Sequence, residues 1–228
     1  LASAAALDDW AGAVSPAARL LAARFWPGPL TLVLPRAARV SDAVTGGQDS
    51  VALRVPAHPV ALALLEAFGG GIAARSANRY GRVSPTSAAH VRAELGAAVD
   101  MVLDGGDCDV GLESTIVACL GEPPRLLRPG GLGRAEIEAV VGPLAAAGAA
   151  APRVPGTLRS HYAPATPLEL VGPAGLADRL RALPAGAKVA VLARSGAPPQ
   201  LSHGVGWRRM PADAAGYGHD LYAALRAL

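Results

Sequence analysis

The chain is expected to fold as an α/β protein. The sequence divides into a layered α/β or α+β domain to about residue 145, a connection over 146–167, and the start of a smaller α/β unit over 168–228. Three observations lead there. Short strand-like apolar runs alternate with runs of helical spacing; the connections between them are brief and rich in Gly and Pro; and residues 144–167 show no periodicity while carrying Pro152, Pro155, Pro164 and Pro167. With 228 residues, 51% hydrophobic and 17% charged, the composition is that of a globular chain, with no apolar run of bilayer-spanning length.

Ser15-Pro16 opens a helical run, "AARLLAARF", that "WPGP" at 26–29 stops before the strand Leu30-Thr31-Leu32-Val33-Leu34. Residues 50–55 alternate as a second strand, with Val51, Leu53 and Val55 on one face and Arg54 on the other. Pro59 begins the helix "PVALALLEAF", which Gly69-Gly70-Gly71 ends. Ile72-Ala73-Ala74 then predicts a buried strand end, Ser76-Ala77-Asn78 a polar turn, and Ser84-Pro85 a helix N-cap with proline at the first helical position. Further strands are expected at Met101–Leu103, Thr115–Val117 and Arg125–Leu127, and a closing helix over "GRAEIEAVVG". Past the connection, "LELV", "GLADRLRAL" and "KVAVLAR" give strand, helix and strand; "HDLYAALRAL" is an amphipathic helix.

Residues 1–145 carry a net charge of −2 and residues 146–228 one of +5, without a dense basic stripe, so any direct binding of RNA is expected to be weak. Cys108 and Cys119 form no CxxC pair, which favours a reducing, cytoplasmic setting. The first residue, Leu1, and the uncapped last helix are read as cuts in a longer protein.

Generic catalytic signatures fail. There is no GxSxG elbow, "GGLGRAE" lacks the third glycine of a dinucleotide fingerprint, Lys188 has no GKS or GKT context, and the five histidines lack metal-ligand spacing, so no metal site is expected. A hydrolase would have to use Ser114 or Ser76 with His58, His90 or His161.

What remains is a set of polar groups at the ends of several strands: Arg54, the Ser76 loop with Ser84, "GLESTIV" at 111–117, and Arg128 in "LLRPGG". A helix start suits a phosphate or carboxylate, and an arginine fork suits a carboxylate. Each feature also has an ordinary reading as a cap, a turn or a solvated strand residue.

"FWPGPLTLVL" (25–34), "VALRVP" (51–56), "RSANRYGRVSPTSAAHV" (75–91), "ESTIV" (113–117), "LRPG" (127–130) and "RSHYAPATP" (159–167) together resemble the threonylcarbamoyl-AMP synthase (YrdC-like) family in its long, two-domain form. The resemblance implies a twisted α/β sheet enclosing a large concave cavity, followed by a Rossmann-like domain. It implies synthesis of threonylcarbamoyl-AMP and pyrophosphate from L-threonine, bicarbonate and ATP, with Mg2+ accompanying ATP and a tRNA threonylcarbamoyl transferase downstream. By the same resemblance Arg54, Ala74 and Ser114 would bind L-threonine; Ser50, Ser76, Ser84, Arg128 and Tyr162 would bind ATP, Tyr162 closing over it from the connection. Which residues are catalytic in the strict sense stays open. Arg75 and Tyr80 depart from the small residues usual in that loop. A Lys/Arg motif of the family falls upstream of Leu1, so these 228 residues alone are expected not to turn over. The alternative is a nucleotide- or RNA-binding module without catalysis.

Overall fold

The computed structural model describes residues 1–148, 151–156, 162–184, 186–196 and 205–228. Its elements, in chain order, are α1 (Leu7–Trp10), α2 (Pro16–Phe25), β1 (Leu30–Pro35), α3 (Asp42–Thr45), β2 (Ser50–Leu53), α4 (Pro59–Phe68), α5 (Ala88–Leu95), β3 (Thr115–Ala118), β4 (Arg125–Arg128), α6 (Arg134–Val141), β5 (Ala145–Ala146), α7 (Leu176–Arg181), β6 (Val189–Ala193), β7 (Val205–Arg209) and α8 (Ala214–Arg226). No helix among the described residues is long and apolar enough to cross a membrane.

Five strands form a mixed sheet in the order β2-β1-β3-β4-β5. β1 lies antiparallel to β2 and parallel to β3, β3 is antiparallel to β4, and β4 is parallel to β5. Side chains alternate between the two faces. Leu30, Leu32 and Leu34 of β1 with Val117 of β3 point to one face, where they are sealed by Leu7 of α1, Ala18, Leu21 and Ala22 of α2, and Ile137 of α6. Val33, Ile116, Ala118 and Leu127 occupy the other face, where Val154 of the connection lies across them. One face is therefore a conventional helix-covered core, and the other is only partly covered.

The α2 start is capped as its sequence dictates: Ser15 Oγ accepts from the Ala18 amide at 3.2 Å ahead of Pro16. Gly69, at φ 72°, ends α4 in the left-handed conformation that favours glycine. Val51, Leu53 and Val55 are buried on one side as alternation requires.

Four expectations are corrected. Ile72–Ala74 is not a strand but an exposed segment, and Met101–Leu103 likewise forms no strand, with Met101 75% exposed. "LELV" at 168–171 forms no strand, and Leu168 and Leu170 are exposed. All three runs are apolar enough for a strand, yet a strand needs a hydrogen-bonding neighbour, which local sequence cannot supply. Ser84 does not cap a helix: α5 begins at Ala88, and Ser87 Oγ accepts from the His90 amide at 3.3 Å.

In the second unit β6 and β7 pair in parallel, from Val189 opposite Val205 to Ala193 opposite Arg209. Helices α7 and α8 flank them in sequence, and Leu180, Ala193, Met210 and Ala224 are buried. The second unit is thus α/β, a parallel two-stranded sheet with two helices, without the expected strand at 168–171.

Candidate active site

The sheet register gathers the site. Because β2 and β4 oppose β1 and β3, the starts of β1 and β3 and the ends of β2 and β4 meet at one edge of the sheet. Thr31 stands beside Ile116, Arg128 pairs with Ile116, and Arg54 follows Leu53 at the end of β2. Arg54 and Ala52 share the partly covered face with Thr31 and Val33, since Ala52 opposes Val33.

Ser114, immediately before β3, is the centre of this edge. Its Oγ lies 2.7 Å from Thr31 Oγ1 and accepts from Arg128 Nη2 at 3.1 Å. The Ser114 carbonyl takes two more bonds from the same guanidinium, from Nε at 3.1 Å and Nη2 at 2.8 Å. Arg128 Nη1 donates to the Pro155 carbonyl and to Tyr162 Oη, each at 3.1 Å. An arginine carries five N–H donors, and Arg128 makes five hydrogen bonds to protein. It thus ties β4 to the start of β3 and to the connection.

Glu113 joins the group from the other side. Its Oε1 accepts a 2.5 Å bond from Ser84 Oγ, and its Oε2 lies 3.8 Å from Arg128 Nη2. The 113–115 backbone is held by the turn after β4. Gly131 N donates to Glu113 O at 2.9 Å, and a Cβ on Gly130 would fall 2.3 Å from Glu113 O. Only glycine permits this approach, which accounts for the "RPGG" that follows β4. Thr115, fully buried, closes the same turn: its Oγ1 donates to Leu132 O at 2.8 Å and accepts from Leu132 N at 3.0 Å.

Arg54 differs from Arg128. Among the described residues its side chain donates no hydrogen bond and forms no ion pair, so its fork is open to a ligand. The surrounding protein lowers its pKa from the ordinary arginine value; loss of hydration is the main cause, the Arg128 charge adds to it, and Glu113 opposes. Arginine stays charged even so. Burial first, then the Glu113 carboxylate, raises the Tyr162 phenol, and the same pair of causes pushes Tyr222 of α8 up to about 12. The two tyrosine rings lie 6.3 Å apart.

Hydrogen bonds unite Ser84, Ser114, Arg128 and Tyr162 around Glu113, and Arg54 lies close enough to feel the charges of Glu113 and Arg128. No hydrogen bond among the described residues joins Ser50, Ala74 or Ser76 to them; Ser50 opens β2 opposite Pro35, and Ala74 and Ser76 lie on the exposed segment after α4. Sequence reasoning left out Thr31, whose signal was a lone hydroxyl within "LTLVL", and Tyr222 and Arg226, which carried no local signal beyond lying on an amphipathic helix. The hydrolase alternative finds no support in the described residues: His58 Nε2 is 3.0 Å from Gly105 O, and His90 Nδ1 meets the Thr86 amide at 3.3 Å and its hydroxyl at 3.2 Å. His161 falls outside the described residues. Cys108 and Cys119 are free thiols, and no three His, Cys, Asp or Glu side chains converge as a metal site among the described residues. A cleft of about 430 Å3 beside Leu120, Arg125 and Pro152 is separate and contains none of the clustered groups.

Two family models match. The Sua5/YciO/YrdC model, described as "Telomere recombination", covers residues 1–130, and the "Threonylcarbamoyl-AMP synthase, C-terminal domain" model covers 132–228. The threonylcarbamoyl-AMP synthase of Bacillus subtilis is 44% identical over 170 residues, 72% of this chain and 49% of its own. That of Pyrococcus abyssi is 43% identical over 181 residues, 77% of this chain and 53% of its own. The chain therefore spans about half the length of the curated relatives it matches. The crystal structure of P. abyssi Sua5 complexed with L-threonine superposes with a TM-score of 0.82 at 36% identity, covering 100% of this chain and 69% of that one. The H234A/Y235A variant of the same protein gives a TM-score of 0.83 at 35% identity, covering 100% and 68%. With both models matched in order over nearly its full length, the chain belongs to the threonylcarbamoyl-AMP synthase family, in its two-domain form.

Proposed function

We propose that this chain carries the substrate cavity of an L-threonylcarbamoyladenylate synthase. In that reaction the amino nitrogen of L-threonine bonds to the carbon of bicarbonate with loss of water. A carbamate oxygen then attacks the α-phosphorus of ATP, and pyrophosphate leaves as the bond to the β-phosphate breaks. Mg2+ would enter with the triphosphate as part of the substrate. The product would pass to a tRNA threonylcarbamoyl transferase, and a cytoplasmic setting suits two free thiols.

The observation that carries this reading is the open fork of Arg54 on the same face as Thr31 and Ser114, in a family whose P. abyssi member was crystallised with L-threonine. A planar guanidinium grips a carboxylate in two places, and the neighbouring hydroxyls can take the amino acid's polar end. Ala74 would add a backbone contact. Ser84, Arg128 and Tyr162 would face ATP, and a nucleotide that also met Ser50, opposite Pro35 at the far end of β1, and Ser76, on the exposed segment after α4, would have to extend along the sheet. Arg128 would meet phosphate by exchanging its Nη1 partners, and Tyr162, beside it, would close over the nucleotide and exclude water.

The alternative of a binding module without catalysis is separated by calorimetric titration of the chain. L-Threonine and ATP should each bind saturably, with double-stranded RNA displacing neither. Tight RNA binding with no response to L-threonine would overturn the synthase reading.

A further inference from the structure

Helix α8 belongs to the second unit, yet one of its stripes lies on the first. Gly218, Tyr222 and Arg226, spaced four apart, share a face. Gly218 sits against Leu112, where a Cβ would come within 2.7 Å of Leu112 Cδ1; the His219 carbonyl crosses Gly111 so closely that a Cβ there would lie 2.0 Å from it. Tyr222 faces Tyr162 across 6.3 Å. One turn later, Arg226 Nε donates to the Ser84 carbonyl at 3.1 Å, and Nη2 donates to the Val83 carbonyl and to Glu94 Oε2, the latter at 3.0 Å. The side chains of Arg226 and Glu94 are only 13% and 14% exposed. Glu94 is fixed in turn, since its Oε1 accepts from the Arg79 amide at 3.0 Å.

We propose that Arg226 is a positioning residue through which the second unit sets the substrate site: by holding the Val83 and Ser84 carbonyls it fixes the loop whose Ser84 hydroxyl bonds Glu113. Ser84 sits between the two contacts, its carbonyl on Arg226 and its hydroxyl on Glu113. A free Ser84 backbone would let the hydroxyl leave Glu113, and the carboxylate would then swing relative to Arg128 and Ser114. The geometry asks for arginine in particular. Two backbone carbonyls and a carboxylate are met by one planar fork, whereas a lysine ammonium can satisfy Glu94 or a carbonyl but not hold all three in those directions. The consequence for ligands rests on the proposed ATP role of Ser84.

Hydrogen exchange and titration on the whole chain test it. In Arg226→Gln, amides within residues 82–86, Pro85 having none, should exchange at least tenfold faster without ligand. ATP should bind about tenfold more weakly, L-threonine within twofold of the parent, and Arg226→Lys should fall between. A merely structural role would weaken both ligands together. If Arg226→Gln unfolds, the parent decides by reciprocity: a helix whose docking supports ATP must be protected by ATP, so exchange over 218–226 should slow on adding the nucleotide. Unchanged exchange of 82–86 in a folded variant, or ATP binding that leaves 218–226 unprotected, would overturn the proposal. Should the parent bind neither ATP nor L-threonine, the synthase reading fails instead, and the ligand-free exchange of 82–86 still decides whether Arg226 holds the loop.

Discussion

Arg128 and Arg54 show how much one side chain's surroundings decide. Both lie at the ends of strands and both look like carboxylate or phosphate grips, but Arg128 is 9% exposed with each N–H on a protein acceptor, while the fork of Arg54 makes no such contact among the described residues. The residue types were readable from "ALRVP" and "LLRPG"; which arginine is a strut and which is open depends on partners 14 to 34 residues away. Removing the strut should therefore have two effects. Charge-assisted hydrogen bonds are worth about 1.5–3 kcal/mol, so Arg128→Ala should lower the melting temperature and weaken ATP by about tenfold or more, measured by calorimetry on one sample. Unchanged ATP affinity would remove Arg128 from the nucleotide site. Tyr162 belongs to the same strut, and it adopts φ 54°, uncommon for a residue other than glycine. If it only anchors the connection, Tyr162→Phe should lower stability slightly and leave ATP affinity alone; loss of ATP affinity supports the closing role.

Among elements, those with local punctuation were legible: α2 from Ser15-Pro16, α4 from Pro59 and Gly69, β1 and β3 from uninterrupted apolar runs. Strands proposed at 72–74, 101–103 and 168–171 failed because pairing is a non-local decision, and α1 and α3, four residues each, are too short to show periodicity. The loop 81–87 illustrates a near miss in which serine at 84 and serine at 87 compete for the cap. The structure gives the cap to Ser87 and leaves Ser84 buried on Glu113. Ser87→Ala should thus cost about 1 kcal/mol of stability with little change in ligand binding, and Ser84→Ala should do the reverse to ATP. Denaturant melts paired with titrations separate them; a larger stability loss for Ser84→Ala with unaltered ATP binding would return it to a structural role. Asp213 caps α8 through the Gly216 amide at 2.8 Å, a bond that holds its carboxyl below the usual range. Protonating it at low pH should loosen the helix that carries Tyr222 and Arg226.

At the scale of the molecule, the two units meet at the site rather than away from it. The contrast of −2 against +5 in their charges gave no hint of this, because the docking stripe is Gly218, Tyr222 and Arg226, mostly uncharged. Burial of Tyr222 has a measurable sign. Its phenol titrates near 12 in the folded chain against about 10 when unfolded, so between these values the unfolded state has lost the proton that the folded state keeps. Stability is full below pH 10 and falls as pH rises toward 12. Tyr222→Phe should flatten that alkaline loss in urea melts; an identical slope in both would mean that the phenol is solvated.

In the proposed site L-threonine is held by its carboxylate at Arg54. Titrating L-threonine into the chain and into Arg54→Lys, which keeps the charge and loses the fork, decides it. Saturable binding in the parent, weakened about tenfold or more in Arg54→Lys while ATP affinity holds, is the predicted result. Equal L-threonine affinity in the two proteins, or none in the parent, would contradict it.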